Sequence, residues 1–322
     1  MTGSEVAAEA PDGPTAAWFR HPNGRWVVED AGRQAEIEPR PATGPDGIRA
    51  DTVVDGGRIG GLTYRASSQR GLAHQSSRVV RQDAYLVRPT GDGRWLVGCV
   101  ADGVSDGRRS HVAADLVCQT TTVQLAQRLG ELDPPSDPER WAAAVNALGW
   151  PDVVAEANRS IRGAAGRGQA ELDNASARRT MSSTAVVFAV AARPVADGDY
   201  PAFVAVLAGD STALLLSGDT WTPLGAVKND GAEIASSVVT ALPGDVPRTR
   251  PESRMLRPGQ ALVVITDGLG DPLGSGGGLV GRFLATMWRR PPDLLAYAGH
   301  VGFYRKSFTD DRTAVTIWAR EP

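Results

Sequence analysis

The stretch DAYLVRPTGDGRWLVGCVADG, residues 83–103, decides the fold. Two apolar runs flank a Gly-Asp-Gly turn, and Asp92-Gly93 is a favoured two-residue hairpin loop. The segment therefore reads as two antiparallel strands, 83–88 and 94–101, with Asp83 directly opposite Asp102. Opposed side chains lie about 4.5–5.5 Å apart at Cβ and point to the same face. Two carboxylates that close repel each other unless a proton or a cation lies between them.

The same ending recurs downstream. ALVVITDGLGD, residues 261–271, again drives an apolar run into Asp-Gly, and TDDRTAVTIW places Asp311 just ahead of the run 313–319. Asp83, Asp102, Asp267 and Asp311 would then all sit at strand ends. Glycine after two of them leaves room for close backbone approach and offers a carbonyl as a further oxygen donor. Oxygen-only ligand sets suit Mg²⁺ or Mn²⁺, and this array could hold a pair of ions.

Further candidate strands are 61–66, 184–192, 202–208, 212–217, 260–266 and 313–319. Helical spacing fits 109–129 and 139–161, residues 163–180 read as a loop, and 222–257 reads as an irregular insertion. A helical pair is expected around 279–299, broken at Pro291-Pro292. Strands, helices, strands, helices, strand is an order that favours antiparallel sheets with helices packed outside over a βαβ repeat. Residues 1–58, rich in Pro, Gly, Ala and charge, are expected to form an arm or a small strand-containing appendage, and 59–322 the main domain.

A net charge of −3 gives no nucleic-acid footprint. Cys99 and Cys118, each within an apolar run, read as buried free thiols of a reducing compartment. The longest apolar run, Ala185–Ala192, is far short of the ~20 residues of a membrane helix. No signal-like pattern opens the chain, so the expected location is cytoplasmic.

Six pieces in order resemble the metal-dependent protein phosphatases of type 2C, in a divergent bacterial-type branch. They are RQDAYLV at 81–87, VADGVSDGRRS at 100–110, STAVVFAV at 183–190, VLAGDSTALLL at 206–216, VITDGLGD at 264–271 and DDRTAVTIW at 310–318. The resemblance implies an α+β fold, a four-layer α-β-β-α sandwich of two antiparallel sheets flanked by helices, with metals in a cleft at one sheet edge. It implies two Mn²⁺ or Mg²⁺ ions. Asp102 would bridge them, the Gly103 carbonyl would ligate the first, Asp267 and Asp311 would complete the second, and Asp83 would act directly or through a water. Arg78 would contact the substrate phosphoryl group, and His74 could protonate the leaving oxygen.

The implied activity is hydrolysis of phosphoserine and phosphothreonine in proteins, opposing a Ser/Thr kinase, with no nucleic-acid or membrane partner. Three departures stand out. Gln82 replaces a frequent Glu, Val104-Ser105-Asp106-Gly107 replaces a frequent Gly-Gly, and Arg178-Arg179-Thr180 offers no third-metal aspartate, leaving Asp210 as a turn residue or secondary ligand. They keep open a second reading, a catalytically weak relative that binds a phosphoprotein, and a third, an enzyme for a small phosphorylated metabolite.

Overall fold

A strand that is apolar at every position must be covered on both faces, and that condition builds this molecule. The computed structural model describes residues 17–43, 49–104, 107–167, 170–225, 240–244, 249 and 251–320. Its first half contains β1 (Trp18–Arg20), β2 (Trp26–Val28), β3 (Thr52–Ile59), β4 (Leu62–Gln69), α1 (Leu72–Ser77), β5 (Ala84–Pro89), β6 (Trp95–Ala101), α2 (Ser110–Gly130), α3 (Pro138–Asn146), α4 (Trp150–Ala165) and α5 (Asn174–Arg178). The second half contains β7 (Ala185–Ala191), β8 (Tyr200–Ala208), β9 (Thr212–Ser217), β10 (Thr220–Leu224), β11 (Glu252–Leu256), β12 (Gln260–Ile265), α6 (Asp267–Leu273), α7 (Leu279–Met287), α8 (Leu294–Val301) and β13 (Arg312–Ala319).

Two antiparallel sheets result, one ordered β10-β9-β12-β13-β4-β3 and the other β11-β8-β7-β6-β5. Val186, Phe188 and Val190 of β7 pack between the sheets with Val100, Val264, Val315 and Ile317. The alternate residues Ala185, Val187 and Ala189 face α2 and α4, through Val117, Leu125, Val153 and Ile161. On the other side Val263, Ile265 and Trp318 face α6, α7 and α8, through Leu269, Phe283 and Tyr297. Gly98 leaves the space that Phe188 fills, since a Cβ there would lie 2.3 Å from the phenyl ring. The four-layer expectation is met.

The β5-β6 register is the expected one, with Ala84 opposite Ala101. Its turn is longer than expected. Thr90 N donates to Trp95 O at 2.9 Å, so four residues turn the chain rather than two. The Asp92 carboxylate takes Thr90 Oγ1 at 2.6 Å and Arg94 N at 3.0 Å, a local closure that wins over the tighter loop. The helix expected over 139–161 is two helices, because Gly149 adopts φ +70° and Pro151 starts α4.

The boundary expected at residue 58 falls inside β3, which pairs with β4 along its whole length. The β1-β2 hairpin also joins the body, with Trp26 and Val28 buried against Phe283. Among the described residues, no helix is long and apolar enough to cross a membrane.

Trp95 of β6 and Trp141 of α3 are fully buried and stacked, their centroids 5.1 Å apart. Trp141 Nε1 also donates to Ala202 O at 2.8 Å. Trp141→Ala is expected to destabilise the fold by about 3–5 kcal/mol in urea denaturation. A loss under about 1 kcal/mol would mean that α3 is not part of the cooperative core.

Candidate metal centre

Strand parity brings the acidic residues together. Tyr85 and Val87 of β5 and Val100 of β6 face the space between the sheets, so Asp83 and Asp102, in phase with them, end on that side. Val315 and Ile317 of β13 share it, and Asp311 is in phase with them. Asp267 opens α6 directly after β12. The four expected aspartates therefore meet at one edge of the sandwich, two from each sheet.

Hydroxyls stitch that edge. Thr266 Oγ1 donates to Asp83 Oδ2 at 2.8 Å and accepts from Thr313 N at 3.0 Å. Thr313 Oγ1 donates to Ser68 Oγ at 2.6 Å, and Arg81 Nη1 donates both to Ser68 Oγ and, at 2.7 Å, to Asp83 O. Asp102 is fixed through its backbone. Its N–H donates to Thr184 Oγ1 at 2.9 Å, and its carbonyl accepts from Thr184 N at 2.8 Å and Ser183 Oγ at 2.9 Å. Ser211, of the Gly-Asp-Ser turn, lies 3.0 Å from Thr184 Oγ1.

The two Asp-Gly junctions have one steric cause. A Cβ on Gly268 would lie 1.9 Å from Asp311 O, and one on Gly103 would lie 2.9 Å from both Gln82 O and Ser110 O. Each glycine lets a second acid-bearing backbone pass beside its aspartate. Gly71 does the same for the Thr309-Asp310 peptide, with 2.4 Å to Thr309 O.

Asp311 reaches that edge but is bonded there to the protein itself. Its Oδ1 accepts from Gly71 N at 2.6 Å and contacts His74 Nδ1 at 2.9 Å, while Oδ2 accepts from Gln82 N. Both oxygens are committed to protein donors in a buried position. The neighbour Asp310 is exposed and lies beside Gly268, and its charge acts on both Asp102 and Asp267. Asp310 Oδ1 accepts from Asp311 N at 2.8 Å, while Asp311 spends both oxygens on Gly71, His74 and Gln82. The signal for this difference lay in the parity of β13, which turns Asp311 inward with Thr313 and Asp310 outward.

The electrostatics are those of a crowded anion site. Burial, and next the charge of Asp311, push the Asp83 carboxyl up to about 7. Burial and the charges of Asp83 and Asp267 hold Asp102 well above the usual carboxylate range. Burial with the charges of Asp210, Asp310 and Asp271 pushes Asp267 up to about 6. Asp210, at the β8-β9 turn, thus contributes at least through its field. Burial opposes a charge on His74, but the Asp311 hydrogen bond and the charges of Asp311, Asp310 and Asp83 outweigh it, and the net shift is upward.

These residues fit a divalent cation. The donors are the carboxylates of Asp83, Asp102, Asp267 and Asp310, while His74, whose ligand atom lies within 4.8 Å of those of Asp310 and Asp311, is held by Asp311. Gln82 Oε1 is buried without a hydrogen-bond partner, an oxygen that a cation or its water could satisfy. Arg78 stands at the left-handed C-cap of α1, exposed, and no contact of its side chain with the carboxylates is found among the described residues. Ser105 and Asp106 lie outside the described residues.

A carboxyl raised by the fold costs stability once the pH passes its unfolded value of about 3.9, and the cost is complete above the folded value. Chelator-treated protein is therefore expected to lose stability as pH rises from about 4 to about 7. Asp267→Asn should raise its melting temperature at neutral pH and shrink the rise produced by Mn²⁺. A lower melting temperature in chelator, with an unchanged Mn²⁺ response, would show that the carboxylates do not repel one another.

No curated protein sequence matches this chain. Among solved structures, RsbX in complex with magnesium aligns with a TM-score of 0.50 at 10% identity, covering 82% of this chain and 98% of that one. The S. agalactiae serine/threonine phosphatase aligns at 0.50 and 16% identity, covering 84% and 100%. Both likenesses are of fold. The sequence pattern described as "Protein phosphatase 2C" matches residues 70–293, more than half of the chain. The chain belongs to the protein phosphatase 2C family.

Proposed function

We infer that the protein is a Mn²⁺- or Mg²⁺-dependent phosphatase acting on phosphoserine and phosphothreonine in proteins, the products of a Ser/Thr kinase. The observation that carries this reading is the convergence of Asp83, Asp102, Asp267 and Asp310 at one sheet edge, with proton affinities raised by burial and mutual repulsion. Such a set gains most from a cation. Asp102, the Gly103 carbonyl, Asp267 and Asp310 would hold a pair of divalent ions, with Asp83 acting directly or through a water. When bound, these ions supply a water of lowered proton affinity and neutralise phosphoryl charge.

The chain's own residues supply positioning and a proton. Asp311 accepts from His74 Nδ1, which orients the ring and leaves Nε2 as the nitrogen able to donate. A protonated His74 is favoured by the surrounding carboxylates, so Nε2 is suited to protonate the seryl or threonyl oxygen as it leaves. Arg78, the C-cap of α1, is the guanidinium proposed for the phosphoryl oxygens.

The deciding experiment is hydrolysis of a phosphothreonine peptide with Mn²⁺, with Mg²⁺ and with chelator. Turnover is expected with either metal and none with chelator, and Asp102→Ala should lower it by more than about 10²-fold. Metal uptake without turnover would favour the competing reading, a relative that binds phosphoproteins. His74→Asn should cost about 10²-fold on the peptide but under about tenfold on p-nitrophenyl phosphate, whose leaving group needs no proton. Equal losses on both substrates would remove His74 as the acid.

A further inference from the structure

Residues 26–43 lie outside the two large sheets, yet they bond both backbone segments that lead into the centre. The first is the irregular connection from α8 to β13, which ends in Asp310-Asp311. Tyr304 N donates to Trp26 O at 2.7 Å, Val28 N to Tyr304 O at 3.0 Å and Lys306 N to Asp30 O at 2.7 Å. Arg305 pairs with Glu29 as well. The second segment is α1, which carries His74. Arg40 N donates to Gln75 O at 3.2 Å and Thr43 N to Arg78 O at 3.0 Å. Arg70 ties α1 to the strap as well, giving Nη1 to Arg40 O at 2.9 Å and Nη2 to His74 O at 2.8 Å.

Gln34 is the centre of this strap. It is 4% exposed, and its whole carboxamide is spent on the connection. Oε1 accepts from Arg305 N at 2.9 Å, while Nε2 donates to Arg305 O and, at 3.1 Å, to Phe308 O. From Phe308 the chain has one residue, Thr309, whose carbonyl accepts from Ala73 N of α1 at 3.0 Å, before the two aspartates. Arg312 Nη2 donates to the same Phe308 O at 2.9 Å from the core side, so the buried amide and the guanidinium hold this backbone between them.

We propose that Gln34 is a positioning residue of the metal centre: by clamping residues 305–308 it sets where Asp310 and the Asp311-His74 pair stand, so cation affinity depends on the N-terminal strap. Partners hydrogen-bonded to a metal ligand alter metal affinity by about 10–100-fold when lost. Gln34 acts one step further out, through the backbone of residues 305–308, so the lower end of that range is expected. The proposal rests on the phosphatase reading only for its turnover measurement; its binding measurement stands apart.

The test is calorimetric titration of the purified full chain with Mn²⁺ alone, for the unaltered protein, Gln34→Met and Arg33→Ala. Arg33 is exposed and pairs with Glu36 at 2.9 Å on the surface of the same strap. Gln34→Met should bind Mn²⁺ about tenfold more weakly, with Arg33→Ala unchanged. Its turnover of phosphothreonine peptide should fall at low Mn²⁺ and recover in excess Mn²⁺, with KM for the peptide unmoved. Mn²⁺ affinity within about twofold of the unaltered protein would overturn the proposal. So would an unaltered protein that takes up no Mn²⁺. If Gln34→Met does not fold, Gln34→Asn, one methylene shorter, is read by the same criteria. If no variant turns over peptide, the phosphatase reading fails, and the Mn²⁺ affinities still decide on Gln34.

Discussion

Everything in this structure is arranged around carboxylates that repel one another. Burial and neighbouring charges raise the proton affinities of Asp83, Asp102, Asp267 and Asp310 at one sheet edge. A fold gains nothing from such crowding by itself, because each additional buried charge raises the cost of the next. The cost is offset locally by Thr266, Thr313, Ser68 and Arg81, which donate to or brace the acids and their backbones. What remains uncompensated is the part a cation would relieve, and any ligand that binds only the folded state stabilises it.

The architecture explains why this chemistry sits at an edge. With β6 and β7 buried at every residue between the other sheet and the helices, the centres of these two strands offer no solvated position for a charge. Strand ends do. Antiparallel order then supplies acids from neighbouring strands at the same end, since β5 begins where β6 stops and β13 begins where β12 stops. The glycines after Asp102 and Asp267 follow from the resulting crowding of backbones, because each position is too close to a neighbouring carbonyl for a side chain.

Much of this was legible because the core strands obey local rules. The register of β5 against β6 followed from two apolar runs and a turn, and it survived a turn of different length because Asp92 closes the loop without shifting the pairing. What was not legible depends on contacts distant in sequence. β3 contains Asp55-Gly56-Gly57-Arg58, a polar glycine-rich run that pairs only because β4 offers an edge. Gln34 reads as a surface residue until Arg305 and Phe308 arrive from 271 and 274 residues away. The proposed exchange of roles between Asp310 and Asp311 is intermediate. The identity of the motif was plain, but choosing between adjacent acids required the phase of β13, which Thr313 and Val315 fix by their burial between the sheets.

The extent of the family match sharpens the case of the strap. Residues 70–293 carry the family pattern, so the strap before residue 44 and the connection that leads into Asp310-Asp311 both lie outside it. These two outlying pieces are bonded to each other through Gln34, Trp26, Val28 and Asp30. This connection between helix and strand has no strand ladder of its own and is held from the core side by Arg312, which donates to Val301 O, Phe303 O and Phe308 O. Here that end bears one carboxylate of the proposed cation site and the anchor of His74. The strap supplies the missing ladder from the other end of the chain. The centre is therefore completed by residues that no reading of the phosphatase core alone would include.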